Sequence, residues 1–86
     1  MKVQNMTSSR GNKIANQFII SDNGTQIFQS YNSIIAKIEN GKVYLDSYYW
    51  DYSRTTGKYR NEFLGEGKAE TEKKIKSGEY TLTNLN

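Results

Sequence analysis

The run Tyr48-Tyr49-Trp50-Asp51-Tyr52-Ser53-Arg54-Thr55-Thr56-Gly57-Lys58-Tyr59-Arg60 holds the densest set of chemically capable side chains in this chain. Four aromatics fall within five positions, and Arg54, Lys58 and Arg60 follow them. Aromatic faces stack on bases and neighbouring cations hold phosphates, which is how single-stranded nucleic acid is bound without sequence readout. Tyr, Trp and Arg are equally the residues that anchor protein interfaces. The candidate contact residues are therefore Tyr48, Tyr49, Trp50, Tyr52, Arg54, Lys58 and Arg60, facing a partner protein, a nucleotide or a nucleic acid. The same side chains also suit the closing of a small core, because alternate members of a Tyr-Tyr-Trp run in a strand point inward. Core and contact surface both stay open for this run.

A second constellation is Thr7-Ser8-Ser9-Arg10-Gly11-Asn12-Lys13. Hydroxyls, two cations and a glycine can cradle a phosphate through backbone N–H groups. Thr7, Ser8, Ser9, Arg10 and Lys13 are the candidate phosphate residues, with an ordinary turn as the competing reading. The Gly-x-x-x-x-Gly-Lys-Ser/Thr pattern of nucleotide-binding loops is absent. Two carboxylates can hydrolyse a glycoside without histidine, and Asp46, Asp51 and Glu62 surround the aromatic run. Hairpin and helix-capping roles account for Asp46 and Asp51 with less, so no catalytic residue is assigned. Lys73, Lys74 and Lys76, offset by nearby glutamates, read as a solvated helix face.

Composition narrows these options. The 86 residues suit one small domain, residues 1–86, with little room for a deep cleft. The absence of cysteine excludes disulfides, cysteine-zinc sites and thiol catalysis, and the absence of histidine excludes the usual triads and the commonest metal ligand. No metal or cofactor is expected. A net charge of +3 and a pI near 9.2 are mildly basic, short of a nucleic-acid-coating arm and of the wrong sign for a nucleic-acid mimic. No apolar run is long enough to span a bilayer, and the polar first 16 residues lack the apolar segment of a signal peptide, so a cytoplasmic location is expected.

The elements that carry these residues follow from periodicity. Residues 2–6 suit a short strand. Residues 14–21 and 25–31 form a hairpin across Asp22-Asn23-Gly24, since Asn and Gly tolerate positive φ. Residues 34–39 and 42–46 form a second hairpin across Asn40-Gly41. A two-residue loop there pairs Glu39 with Lys42, Ile38 with Val43 and Ala36 with Leu45. That register puts Ile34, Ala36, Ile38, Val43 and Leu45 on the core face and Ile35, Lys37, Tyr44 and Asp46 on the other. Asp51 or Ser53 caps a helix whose Thr56, Tyr59, Phe63 and Leu64 keep helical spacing. Gly57 weakens that helix by about 1 kcal/mol relative to alanine, and Gly65 and Gly67 end it. Residues 68–77 form a second, surface helix, and residues 79–83 a final strand. The fold class is α+β: a small antiparallel sheet of four to six strands built from two hairpins, with one or two helices of the C-terminal half packed on one face.

Met6-Thr7-Ser8-Ser9, Gly11-Asn12, Asn16-Gln17-Phe18-Ile19-Ile20, Phe28-Gln29-Ser30-Tyr31, and Tyr52-Ser53-x-Thr55-Thr56-x-Lys58-Tyr59 with Phe63-Leu64-Gly65 span most of the chain. In these segments it resembles short uncharacterised accessory proteins of phages and mobile elements of low-GC Gram-positive bacteria. The abundance of Asn, Lys, Ile and Tyr, all with AT-rich codons, agrees with such an origin. The resemblance carries over no catalytic residue. It implies a setting, because small phage accessory proteins often act on host machinery, CRISPR and other defence systems included. The expectation is a non-catalytic protein that binds and inhibits or modulates a host factor, such as a defence nuclease or its nucleic-acid complex, by steric blocking. Direct single-stranded nucleic-acid binding and capture of a nucleotide signalling molecule stay open, as does homodimerisation.

Overall fold

The computed structural model describes residues 1–86. Five strands run as an antiparallel meander: β1 (Lys2–Thr7), β2 (Lys13–Asp22), β3 (Thr25–Ser30), β4 (Ser33–Glu39) and β5 (Lys42–Asp46). Helices α1 (Arg54–Leu64) and α2 (Lys68–Ser77) follow, and β6 (Tyr80–Thr83) completes a six-stranded sheet beside β5. The fold is α+β. Because two helices carry the chain back to the end of the sheet where β5 begins, β6 runs parallel to β5, the one parallel pair of the sheet.

Both tight turns follow from their Asn-Gly pairs. Asn23 and Gly24 have φ of 47° and 86°, and Asn40 and Gly41 have 52° and 75°, the pattern of type I′ loops. The β4–β5 register is the expected one, with Glu39 opposite Lys42, Ile38 opposite Val43 and Ala36 opposite Leu45. Two expectations about this hairpin fail. The β3–β4 pairing shifts between Phe28 and Gln29, so Ile35 is an extra residue in β4. This bulge turns Ile35 inward beside Ala36, and both are buried while Ile34 is only half-buried. Asp46 is buried too, at the end of β5, for a reason given below.

The core lies between the sheet and the helices. Met6, Phe28, Ile35, Ala36, Leu45 and Tyr80 form its buried centre, with Tyr59, Phe63, Leu64 and Ile75 closing it from the helix side. The Phe63 ring meets Phe28 at 5.8 Å between centroids. Helix α1 is capped by Ser53, whose Oγ accepts from the Thr56 N–H at 3.1 Å, and ends at left-handed Gly65. Helix α2 is mostly exposed, but Lys74 does not stand on a free solvated face with Lys73 and Lys76. Glu66 accepts from the Thr71 hydroxyl at 2.6 Å, the Lys74 ammonium at 2.8 Å and the Tyr80 hydroxyl at 2.9 Å, tying α2 and β6 together. Burial pushes the Glu66 carboxyl up, yet these donors outweigh it and hold it below the usual carboxylate range.

In this topology β1, β3, β5 and β6 point the same way. The β1–β2 turn, the β3–β4 turn, the β5–α1 loop and residues 84–86 therefore gather at one end of the sheet. No helix is long and apolar enough to cross a membrane.

Candidate functional site

The β5–α1 loop, residues 47–53, is built outward from Asp46. The Asp46 carboxylate accepts from the Tyr48 N–H at 3.1 Å, the Tyr49 N–H at 2.8 Å and the Leu85 N–H at 2.8 Å. Its carbonyl accepts from the Trp50 N–H at 3.0 Å. Burial alone would raise this carboxyl; the N–H donors, with the Asn86 side chain, outweigh it and keep the group ionised at lower pH than usual. Burying Asp46 therefore satisfies backbone donors of the loop and of the C-terminal segment that no strand partner could reach.

Arg60 grips the loop from the helix side. Its Nη1 donates to the Trp50 carbonyl at 2.7 Å and to Asp51 Oδ1 at 3.2 Å, and its Nη2 donates to Asn61 Oδ1 at 2.9 Å. The guanidinium also lies 5.1 Å from the Trp50 ring centroid. Arg60 is only 1% exposed, so it is not a contact residue. Its position betrays this in hindsight: four residues after Thr56 and three before Phe63, it falls on the helix stripe that faces the core. Asp51 binds Lys68 as well, at 2.7 Å. Burial raises the Asp51 carboxyl, but Lys68 and Arg60 together hold it below its ordinary value.

With the backbone held from both sides, the aromatic run divides. Trp50 and Tyr49 are half-buried and pack against the core cluster. Tyr48 and Tyr52 are 71% and 63% exposed. Tyr49 sits between them, with ring centroids 4.7 Å from Tyr48 and 5.3 Å from Tyr52. Arg54 and Lys58, one helical turn apart on α1, are exposed and pair with no carboxylate. Beside them lies an open basin of about 720 Å³, its floor at Gly57 and the Asp51–Arg60 pair and its far wall at Asn61 and Lys68.

A second hollow, of about 290 Å³, lies between the β3–β4 turn and the start of α1. Tyr31, Tyr49 and Tyr52 wall it, and Ser30, Ser53 and Thr56 supply hydroxyls. Ser53 borders both hollows. Sequence reasoning did not join Tyr31, Ser30 and Lys68 to this site, since they come from elements far apart in the chain. The one local signal was Ser53, recognised only as a cap.

The β1–β2 turn behaves differently. Ser8 Oγ accepts from the N–H groups of Arg10 and Asn12, Ser8 N–H donates to the Asn12 carbonyl and Gly11 N–H to the Ser8 carbonyl. The amides of Ser8, Arg10, Gly11 and Asn12 are thus bonded inside the turn. Thr7 and Lys13 end β1 and begin β2 and pair with each other, leaving Ser9 and Arg10 exposed at the tip. What the turn presents to solvent is therefore chiefly the side chains of Thr7, Ser9, Arg10 and Lys13.

A general acid at neutral pH needs a raised carboxyl pKa. Asp46 and Asp51 are both shifted down and both engaged, so neither is set for that task. No group of three or more carboxylates stands close enough to hold a metal ion. The assembled features are those of a small α+β domain with an aromatic and cationic surface at one end of its sheet. The chain belongs to DUF8033, a family of unknown function, whose sequence pattern covers residues 1–79. No curated protein and no solved structure matches it.

Proposed function

We propose that this chain is a non-catalytic binding domain that modulates a partner by covering part of its surface. Tyr48 and Tyr52 are the anchors, and Arg54 and Lys58 pair with acidic or phosphate-bearing groups on the partner. One observation carries this reading: the loop bearing Tyr48 and Tyr52 is fixed from behind by Asp46 and Arg60, while the two rings stand in solvent. Exposed aromatics on a fixed backbone lose little freedom on binding, which is the condition for an efficient anchor. The unpaired charges of Arg54 and Lys58 give the surface a sign. The wider setting, a phage-type accessory protein acting on a host factor such as a defence nuclease, rests on the resemblance of the sequence segments above.

The test compares the parent chain with a Tyr48→Ala/Arg54→Ala variant for co-purification from lysate of a low-GC Gram-positive host. Both positions are exposed, so the melting temperature stays within a degree or two. Loss of a specific partner from the variant alone supports the reading. Equal recovery of every partner overturns it.

Direct binding of single-stranded nucleic acid is the second reading, favoured by the proximity of the exposed rings to the unpaired cations. Trp50, the only tryptophan, reports it. Quenching by oligothymidylate that weakens steeply with salt would support it, because each neutralised phosphate releases counterions.

A further inference from the structure

The hollow between the β3–β4 turn and α1 has a polar floor that the protein leaves incomplete. The Ser53 hydroxyl donates to Thr56 Oγ1 at 3.1 Å, and Thr56 Oγ1 lies 3.2 Å from Ser30 Oγ. Whichever of Ser30 and Thr56 donates to the other, one of the two hydroxyl protons finds no acceptor in this chain of three. Both residues are buried, 3% and 4% exposed, and both line the hollow. Behind them Gln17, 1% exposed, faces Ser30 across the β2–β3 pair, and its Oε1 has no hydrogen-bond partner. Gln17 does not line the hollow, so the feature a ligand there would complete is the unmet hydroxyl proton, and a buried donor without an acceptor is costly.

The walls specify the ligand further. Tyr31, Tyr49 and Tyr52 offer ring faces and edges, and Tyr31 holds a positive φ of 56°, rare for a bulky residue. That backbone is kept in place by the Tyr31 N–H donating to the Asn16 carbonyl at 2.7 Å. At about 290 Å³ the hollow is at the small end of ligand sites, roughly 300–1,000 Å³, which suits one planar ring with its sugar. Across Ser53 the surface drops into the basin where Arg54 and Lys58 stand unpaired. A ring-sized aromatic hollow with hydrogen-bonding hydroxyls, continuous with an unpaired cation pair, has the layout of a nucleotide: base, sugar, phosphate.

We propose that this hollow binds one nucleotide unit, its base against Tyr31 and Tyr52 over the Ser30–Thr56 hydroxyls and its phosphate beyond Ser53 at Arg54 and Lys58. The site rests on the reading above only in sharing Tyr52, Arg54 and Lys58. Tyr31 belongs to the hollow alone, whereas Tyr48 belongs to the docking surface and touches the hollow's walls through Tyr49 and Tyr52. The unit can be a free nucleotide or the end of a single strand, since both present the same base and phosphate.

The experiment follows backbone amide shifts by NMR while the ¹⁵N-labelled protein is titrated with AMP, GMP, CMP and UMP, and separately with a short oligothymidylate. Adenosine and ribose 5-phosphate are the controls. Shifts centred on Ser30, Tyr31, Ser53 and Thr56, with affinity about tenfold above both controls, are expected from combined stacking and phosphate contacts. Tyr31→Ala should lower the affinity by roughly five- to tenfold or more, and Lys76→Ala, exposed near the C-terminal end of α2, should leave it unchanged. Binding of a mononucleotide identifies a free nucleotide as the source. The same shifts with the oligonucleotide alone identify a strand end. Equal binding of ribose 5-phosphate, shifts elsewhere, or no binding by any probe overturns the site. In those cases loss of the lysate partner in the Tyr48→Ala/Arg54→Ala variant still stands on its own.

Discussion

Two turns at the same end of the sheet make opposite use of similar residues. The β1–β2 turn carries serines and cations, and so does the stretch from the β5–α1 loop into α1. In the first, Ser8 bonds the amides of its own turn. In the second, Asp46 bonds the Tyr48 and Tyr49 amides just as locally, but Arg60 reaches in from α1 to the Trp50 carbonyl and Leu85 ties Asp46 to the C-terminal segment. A turn that satisfies itself leaves nothing directed outward except mobile side chains. A loop that is also tied by groups from other elements has its backbone fixed and its own side chains free, which is the difference between a connection and a site. The lesson is to ask where each loop's backbone hydrogen bonds go before asking which of its residues look functional.

The comparison breaks most visibly at Arg60. Arg60→Ala leaves the Trp50 carbonyl without its donor, Asp51 without its buried partner and a void on the core side of α1. Breaking a buried pair costs about 3–5 kcal/mol, with the lower end expected because Asp51 keeps Lys68. That is a large share of the roughly 5 kcal/mol available to a domain this small. Urea unfolding monitored at Trp50 checks it, and Arg60→Lys should recover only part of the loss, since lysine cannot span the Trp50, Asp51 and Asn61 acceptors together. A loss below about 1 kcal/mol would mean that the loop does not depend on Arg60.

Asp46 comes next. Asp46→Asn removes the charge and turns an NH₂ group toward N–H donors, with an expected loss of about 1–3 kcal/mol. Its pH dependence is separable. Asp46, Asp51 and Glu66 all titrate below their ordinary values, 3.8 for the aspartates and 4.5 for the glutamate, when folded. Their stabilisation is complete above those ordinary values and is lost as pH falls through the depressed ones. Stability should therefore be flat from neutral pH to about pH 5 and fall steeply below pH 4. Asp46→Asn should have a shallower acid slope, and an unchanged slope would assign acid sensitivity to Asp51 and Glu66 alone.

Much of this architecture is legible in the residues, and the illegible parts share a cause. The Asn-Gly turns set both tight hairpins because few residues accept positive φ at two successive positions, and Ser53 announces the start of α1. The bulge at Ile35 is silent, since Ile34-Ile35-Ala36 reads equally well with either isoleucine inward. The parallel direction of β6 depends on two helices packing back together, and its four residues carry no sign of it. At the site, the aromatic run was conspicuous and its division was not. Tyr48 and Tyr52 face out and Trp50 and Arg60 face in because Asp46 and the Arg60 guanidinium fold the loop, and the Arg60–Trp50 and Asp46–Leu85 bonds come from other elements. Ser30, next to the Tyr31 wall, and Thr56 lie 26 residues apart and became neighbours only in the fold.

Gly57 sharpens the comparison from the helix side. A Cβ there would lie 3.7 Å from the terminal nitrogens of Arg60 and 3.8 Å from Asp51 Oδ1, which is ordinary contact, and its φ is not in the left-handed region. Gly57→Ala should raise stability by about 0.5–1 kcal/mol through helix propensity. A methyl group on the basin floor should also weaken anion binding at Arg54 and Lys58 slightly, so the variant trades affinity for stability. Destabilisation would show that the Asp51–Arg60 pair needs the space left by glycine.

The smallest effect belongs to the self-contained turn. Ser8→Ala deletes two long, solvent-exposed hydrogen bonds, of 3.3 Å and 3.2 Å, in a turn that also keeps its backbone bonds. The expected loss is about 0.5 kcal/mol, a shift of a few degrees in melting temperature. Neither this change nor Arg10→Ala should alter the response to phosphate-bearing probes, because the amides freed at Ser8 are only Arg10 and Asn12 and lie at the far side of the meander from β5. If Arg10→Ala lowered affinity for those probes as much as Arg54→Ala, the two turns would be acting as one surface. The contrast between a connection and a site would then fail at this end of the sheet.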